Sequence, residues 1–315
     1  MTYSSGGLIE ASDYNGFVGG DGSGANVSGQ LNTVYATGYG NAGYGQTAVT
    51  NVTAVTDQVT AAQWTTLVNA VNVVRKHQSG GSFTNLATYV SGNVINATQD
   101  VSTNLTTAFT NRLTTAAAGP TYNQPNQTQV FTAPNDTNPF NGAFSRTVTF
   151  GSADQARYFF NAGGTVQLVI SSVTNTGGTV RGSALGNVIS LCTGKTIGAQ
   201  DCSAITTPAP YTEAVDLTTD SGYYPQTTAN LTLYSVSGSV GVYTSQLANL
   251  ESKVSGTSGT NGDKGATVTI SIACASPAQS PAFNDSIDIT VNHNLRVIYP
   301  DTTYLANTWG SVTFG

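Results

Sequence analysis

The sequence predicts a mainly β protein with a smaller α-helical N-terminal module and an antiparallel, β-sandwich-like C-terminal domain. Three observations favour this class. Apolar residues recur at helical spacing between residues 60 and 117, and strict two-residue alternation dominates after residue 141. Gly, Asn and Pro turns separate the alternating segments. Many short alternating strands with such turns are typical of a sandwich or barrel-like antiparallel β domain.

The chain divides into four predicted regions by composition. An extended Gly/Asn-rich arm at 1–57 is expected to lie on a neighbouring subunit, and a helical attachment module follows at 58–119. Residues 120–140 hold several prolines and many amide side chains, which favours a linker. The remaining residues, 141–315, form the predicted β-sandwich-like domain.

The clearest helix covers 60–78. Thr60 and Gln63 form a capping box at its start, and Gly80 and Gly81 follow its end. Its apolar face is formed by residues at helical spacing, namely Trp64, Leu67, Val68, Val71 and Val74. We expect Trp64, Leu67 and Val71 to contact partner subunits. A second helix is predicted at about 100–117, before Gly119 and Pro120.

The stretch "ARYFFNAGGTVQLVI" at 156–170 is predicted to be a β-hairpin. Asn161, Gly163 and Gly164 tolerate the positive φ of a tight turn. On the first strand, alternation places Phe159 on the side opposite its two aromatic neighbours. One aromatic side chain then serves the core while Phe159 is available to a second sheet or another subunit.

Low charge restricts the classes of partner. Only 8% of the residues are charged, and the formal net charge is −6. There is no basic stripe for binding nucleic acid and no apolar run near the roughly 20 residues that span a membrane. The first 16 residues lack the pattern of a secretory signal. An uncharged polar surface favours copies packed side by side, because charged groups are costly to desolvate.

The three cysteines do not indicate a metal site. Cys192 and Cys202 lie in the Gly-containing segment "LCTGKTIGAQDCS", where a disulfide is possible. Free thiols are the alternative that synthesis in a cytosol favours. A zinc site needs four ligands, and neither histidine lies beside this segment. We therefore expect no metal and no cofactor.

No catalytic constellation stands out. His77 lies at a helix end and His293 in a strand, so structural roles are favoured for both. Two carboxylate pairs, Glu213 with Asp216 and Asp285 with Asp288, are of the kind that glycoside hydrolysis uses. Their setting in loops and at a strand entrance favours structural roles instead. The sequence predicts no catalytic residue.

An aromatic loop offers a candidate ligand site. The segment "SGYYPQ" at 221–226 has turn residues on both sides of Tyr223 and Tyr224. Exposed tyrosines there could face a receptor or a glycan, since aromatic rings give contact area at low entropic cost. Packing of both rings across the base of the loop is an equally open alternative.

Several of these segments resemble a known family. The stretches "LIEASDYN" at 8–15, "GYGQ" at 43–46, "VTAAQWTTLVNAVNVVRKHQ" at 59–78 and "TFGSADQARYFFNAGGTVQL" at 149–168 are similar to virion structural proteins of tailed bacteriophages. Members occur in contractile-tailed phages of the T4-like and marine groups and are described as structural or tail-fibre-like. The resemblance implies no catalytic residues and no cofactor. It leaves open the position in the virion, whether fibre, baseplate, collar, neck or capsid.

Three functional hypotheses follow. The first is a non-enzymatic virion component, assembled in the host cytoplasm, whose partners are copies of itself in a symmetric homo-oligomer and other virion proteins. The second is a receptor- or glycan-binding adhesin that uses Tyr223 and Tyr224 on a host surface glycan. The third is a polysaccharide depolymerase.

Overall fold

The structure, a computed structural model of the 315-residue chain, describes residues 10–19, 26–53, 58–90, 98–279 and 283–315. It is mainly β, with helices towards the N-terminus and two antiparallel sheets in the C-terminal part. The predicted fold class is confirmed. None of the helices within these ranges combines the length and the hydropathy that crossing a membrane requires.

Four helices precede the sheets. Their bounds are α1 at Ala11–Val18, α2 at Leu31–Tyr35, α3 at Ala61–Ser79 and α4 at Thr98–Thr110. Helix α3 begins at the predicted capping box, where the Thr60 side chain accepts from the Gln63 N–H and the Gln63 side chain accepts from the Thr60 N–H. Helix α4 ends seven residues earlier than predicted, because a turn follows it at 111–113.

Five strands form sheet A. Their bounds are β1 at Ala118–Asn123, β2 at Gln127–Ala133, β4 at Thr165–Asn175, β5 at Thr196–Ile197 and β10 at Ile287–Pro300. The long strand β10 lies in the centre, with β4 on one side and β1 and β2 in succession on the other. The predicted linker at 120–140 is therefore wrong. Pro120 lies in β1 at the edge of the sheet, where proline is tolerated, and Pro125 lies between the two strands.

Six strands form sheet B, in the order β11-β3-β9-β8-β7-β6. Their bounds are β3 at Phe140–Phe150, β6 at Thr212–Asp216, β7 at Leu231–Val240, β8 at Tyr243–Val254, β9 at Thr267–Ser276 and β11 at Val312–Phe314. The alternation read from the sequence is confirmed in β9, whose buried side chains include Val268, Ile270, Ile272 and Cys274.

Two further helices pack against the sheets, α5 at Ala153–Asn161 and α6 at Val180–Leu191. Helix α6 contacts β7, β8 and β9 of sheet B and also β4 and β10 of sheet A, so it lies between the sheets. Gly186 lets it approach β4 closely, because a Cβ there would lie 3.0 Å from the Val173 side chain. Helix α5 packs against β3 and β10.

The predicted hairpin at 156–170 is wrong in its first half, which is helix α5. The Ser152 side chain caps the helix by accepting from the Gln155 N–H, and Gly163, with φ 92°, follows its end. Phe159 and Phe160 are both buried, and both rings contact Phe150 of β3. The predicted availability of Phe159 to another subunit is therefore wrong, because the chain's own core encloses it.

One hydrophobic core joins the helices to the sheets. Trp64, Leu67 and Val71 of α3 are 0% exposed, so they are not available to a partner surface and their predicted role as subunit contacts is wrong. Residues 1–9, 20–25 and 54–57 of the predicted arm at 1–57 lie outside the described residues, and the described part is not an extended arm. Residues of α1 and α2, together with Tyr44, are buried in the same core.

Candidate functional site

A cleft of about 720 Å³ opens where three segments that are distant in sequence meet. One wall is formed by residues between 110 and 115 at the end of α4, with Asn41 beside it. The floor is formed by the turn between α5 and β4, and the other wall by 198–201 after β5. The volume is in the range of small-ligand sites, which often lie where separate structural units meet.

The floor of the cleft depends on two glycines. A Cβ on Gly163 would lie 2.5 Å from the Thr115 Cγ2 atom, and a Cβ on Gly164 would lie 2.6 Å from the Phe159 ring. Gly163 also has φ 92°, which a residue with a side chain adopts only under strain. Side chains are thus excluded from this turn, which keeps the backbone in the position that shapes the cleft.

Arg112 gives the first wall a fixed guanidinium group. Its Nε atom lies 3.0 Å from the Asn41 carbonyl oxygen, and its Nη2 atom donates to Asn41 Oδ1 at 3.1 Å. Its Nη1 atom donates to the Phe109 carbonyl at 3.0 Å, and the group lies 4.7 Å from the centre of the Phe109 ring. Burial lowers the pKa of Arg112, but an arginine remains charged at neutral pH.

Gln200 and Asp201 form the second wall. Asp201 is exposed, and its Oδ1 atom accepts from the Asp220 N–H at 3.0 Å. Gln200 donates through Nε2 to Asp220 Oδ1 at 2.6 Å. Within the described ranges the ion pairs are Arg157–Asp154 and Lys195–Asp216. Arg112 and Asp201 therefore line one cleft without forming an ion pair with each other.

Tyr223 and Tyr224 lie behind the cleft. The Tyr223 ring stacks on Phe160, a floor residue, at a centroid distance of 4.5 Å. Its hydroxyl donates to the Gly265 carbonyl at 2.7 Å. The Tyr224 hydroxyl lies 2.6 Å from the Gly40 carbonyl oxygen. Burial raises the pKa of both phenols. The prediction of an exposed aromatic loop is wrong, and the alternative of packing across the loop base describes both rings.

A polar knot, formed by Arg157 and Asn161 of α5 with Tyr224, holds the glycine-rich segment at 37–43. Arg157 donates to the Thr37 and Gly40 carbonyls, each at 2.8 Å. The Asn161 amide donates to three carbonyl oxygens, those of Gly40, Ala42 and Gly43, at 3.2, 3.0 and 3.0 Å. Arg157 and Asn161 are 0% exposed. Arg157 and Asn161 are four residues apart, so they lie on one face of α5. The interpretation of this stretch as a strand missed that helical spacing.

All three cysteines are free and buried. Cys192 and Cys202 are not joined, so the possible disulfide does not form and the alternative of free thiols describes both residues. Burial raises the pKa of Cys274 to about 12 and raises those of the other two. The described residues contain no group of three or more His, Cys, Asp or Glu that could hold a metal ion.

Both histidines are buried and lie away from the cleft lining. His77 lies 3.1 Å through Nε2 from the Ala162 carbonyl oxygen, and burial lowers its pKa. His293 projects from the inner face of β10 and stacks on Phe144 at 4.3 Å. Burial, reinforced by Arg146 on β3, lowers the pKa of His293 to about 4. Both rings are therefore neutral at pH 7.

One of the two carboxylate pairs weighed for glycoside hydrolysis, Glu213 with Asp216, has other contacts. Asp216 pairs with the buried Lys195 and accepts from the Ile205 N–H at 3.0 Å. Glu213 accepts from the Thr207 hydroxyl at 2.9 Å. Both lie on the edge strand β6 and neither lines the cleft. These contacts account for both side chains structurally.

Comparison with known proteins identifies no relative of this chain. No family model, no curated protein and no solved structure matches the chain. The similarity of four sequence segments to phage virion proteins thus stays a prediction. The candidate site rests on its geometry alone.

Proposed function

We propose that this chain is a non-enzymatic structural component of a tailed-phage virion that acts by assembling with copies of itself. The sequence resemblance supports the virion class. A single structural observation carries the assembly, namely the open edge formed by β2 of sheet A.

Strand β2 is long and regular for an edge strand. Its seven residues pair with β10 without a bulge, from Ala133 opposite Ile287 to Gln127 opposite His293. No strand of the described ranges pairs with its other side. Its sequence, QTQVFTA, has no charge and no proline, and Val130 is 51% exposed. Edges of this kind pair readily with another chain unless they are protected.

Three other edge strands, β5, β6 and β11, carry protective features. Strand β6 has five residues, a bulge between Glu213 and Val215, and two acidic side chains, while β5 and β11 have two and three residues. Charges, bulges and short length are the features that prevent unwanted edge pairing. The contrast supports β2 as the edge that is paired in the assembled protein.

The partner that this edge suits is a second copy of the same strand, running antiparallel across a two-fold axis. In such a two-fold contact, the same surface of each subunit faces its counterpart on the other. Because β2 carries no charge, no like charges face each other across the axis. Main-chain hydrogen bonds would then extend sheet A through two subunits.

The test is the oligomeric state of the full chain, measured by light scattering on a sizing column. We expect the wild type to be a dimer or a multiple of it, and Val130→Lys to shift it to the monomer. Val242→Lys is the matched control, because Val242 is 47% exposed and lies at the turn between β7 and β8. A wild type that stays monomeric at high concentration, or a control equal to Val130→Lys, contradicts pairing through β2.

The virion class has a separate test. Mass spectrometry of purified particles from the source phage should detect this chain at a copy number typical of structural proteins. Particles that lack it would contradict the virion role, whatever the oligomeric state of the purified chain.

A further inference from the structure

We infer that the cleft between the α4 end, the α5–β4 turn and the loop at 198–201 binds a neutral saccharide. This goes beyond assembly, and its site is distinct from the β2 edge. It also differs from the tyrosine loop considered from the sequence, since Tyr223 and Tyr224 support the floor from behind.

The charges of the cleft favour a neutral ligand. Arg112 and Asp201 are its two charged lining residues, and they have opposite signs. An anionic ligand would meet the Asp201 carboxylate, and a cationic ligand would meet the Arg112 guanidinium. A neutral ligand with several hydroxyl groups avoids repulsion between like charges. Each of its hydroxyls both donates and accepts hydrogen bonds, so it can bind to either charged group.

Hydrogen-bond donors and acceptors line the cleft, and several of them have no partner among the described residues. Each terminal nitrogen of Arg112 carries a second N–H for which the described residues supply no acceptor. Asp201 uses Oδ1 for the Asp220 N–H, while Oδ2 has no donor among the described residues. Thr114 also lines the cleft, and its hydroxyl is a further donor and acceptor. Adjacent sugar hydroxyls can use a guanidinium as donor and a carboxylate as acceptor at once.

Apolar surface lies between these polar groups. Leu113 and Ala199 are half-buried on the two walls. Such a mixture suits a sugar ring, which has C–H groups on its faces and hydroxyls around its rim. Polar groups placed at a few points in a largely formed, partly apolar pocket are typical of ligand sites.

The site is preorganised, which reduces the entropic cost of binding. Asn41 and Phe109 hold the Arg112 guanidinium, and Asp220 holds both Gln200 and Asp201. The glycine turn fixes the floor. A ligand therefore finds donors and acceptors that are already oriented.

Two sources offer this chemistry, namely a free oligosaccharide and a chain within a surface polysaccharide. The full-length protein would be titrated by NMR saturation transfer and calorimetry with isomaltotriose, cellotriose and triacetylchitotriose, and in parallel with dextran, the polymer that has the linkage of isomaltotriose. Binding of isomaltotriose without dextran indicates a cleft that needs a free chain end, whereas binding of both indicates one that accepts internal units.

Variants place the binding in the cleft. We expect Asp201→Ala and Thr114→Val each to weaken saccharide binding at least about tenfold, which corresponds to about 1.4 kcal/mol. Asp100→Ala is the control, because Asp100 is an exposed carboxylate of α4 outside the cleft lining. Circular dichroism checks that each variant is folded.

Two results would overturn the inference. One is the absence of binding by the wild type to every probe at millimolar concentration. The other is binding that Asp201→Ala and Thr114→Val leave unchanged. Neither result bears on the oligomeric state, so failure here and failure of β2 pairing are distinguishable.

Discussion

Helix α5 is held to its two neighbouring regions by different forces. On one side, Phe159 and Phe160 pack against Phe150 of sheet B, and Phe160 stacks on Tyr223. On the other side, Arg157 and Asn161 donate hydrogen bonds to carbonyl oxygens of 37–43. The sandwich side depends on apolar area, and the glycine-rich side depends on a few buried polar groups.

The difference follows from the residues that each region offers. The strands supply an alternating apolar face, so burial there is spread over many side chains. The segment at 37–43, "TGYGNAG", has few apolar side chains, and its backbone carbonyls need partners once they are buried. Stability in that region is thus concentrated in the polar knot.

The largest effect is expected on the apolar side. Phe159→Ala and Phe160→Ala should each lower the free energy of unfolding by about 4 kcal/mol, since each removes a buried aromatic ring. Urea denaturation measures the loss. Phe283→Ala is the control, because Phe283 is 50% exposed. A loss below about 1 kcal/mol for either core variant would show that its ring is not enclosed.

On the polar side, Arg157→Met should lower the free energy of unfolding by about 3 kcal/mol, because the Thr37 carbonyl loses its donor and the Gly40 carbonyl loses one of three. Hydrogen exchange at 37–46 should rise as well. The same substitution at Arg296, whose Nε atom donates to Asn123 Oδ1 on the outer face of sheet A, is the matched control. Equal losses for the two variants would contradict the polar knot.

A third test concerns His293, a polar residue within the apolar side. Its pKa of about 4 in the folded protein is below the ordinary 6.5, so the unfolded chain binds the proton first as pH falls. The contribution of His293 to the free energy of unfolding is therefore fully present above about pH 6.5 and decreases as the pH falls to about 4. At pH 5 the loss from this group is about 2 kcal/mol.

The comparison that isolates this effect is between the wild type and His293→Leu, measured by denaturation at several pH values. Carboxylates titrate equally in both, so the difference in unfolding free energy belongs to His293. We expect the free energy of unfolding of the variant to increase steadily relative to that of the wild type as the pH falls from 6.5 to 5. A difference that is independent of pH would exclude a buried neutral ring.

The smallest effect is expected from Tyr224→Phe, which removes one hydroxyl from the polar knot. We expect a loss of about 1 kcal/mol, because the Gly40 carbonyl keeps its contacts with Arg157 and Asn161. Differential scanning calorimetry resolves such a change. Tyr122→Phe, at a ring that is 49% exposed, should be neutral.

Sequence patterns predicted the regular elements of the fold that bury one face. The two-residue alternation after residue 141 predicted the β domain, because strands such as β3 and β9 bury one face, and the capping box located the start of α3. Helix α6 gave no such signal. Its first turn reverses the usual pattern, because Val180 is 45% exposed and Arg181 is buried, which weakens the contrast between its apolar and polar faces.

The errors have physical causes as well. Adjacent aromatics suggested a strand at 156–160, whereas the Ser152 cap and the glycines after Asn161 determine a helix. Polar edge strands at 118–133 resembled a linker, because an edge strand buries little. The cleft was beyond prediction, since Arg112, Gly163 and Asp201 meet only through the tertiary fold.

The central position of β10 has a consequence for synthesis on the ribosome. Thr128 of β2 and Asn292 of β10 are hydrogen-bonded although they are 164 residues apart. The nascent chain must therefore keep β1, β2 and β4 unpaired with β10 until translation has passed residue 300. Strand β2 can pair with β10 only from that point, so under the proposed contact between copies an incomplete chain cannot present the β2 edge.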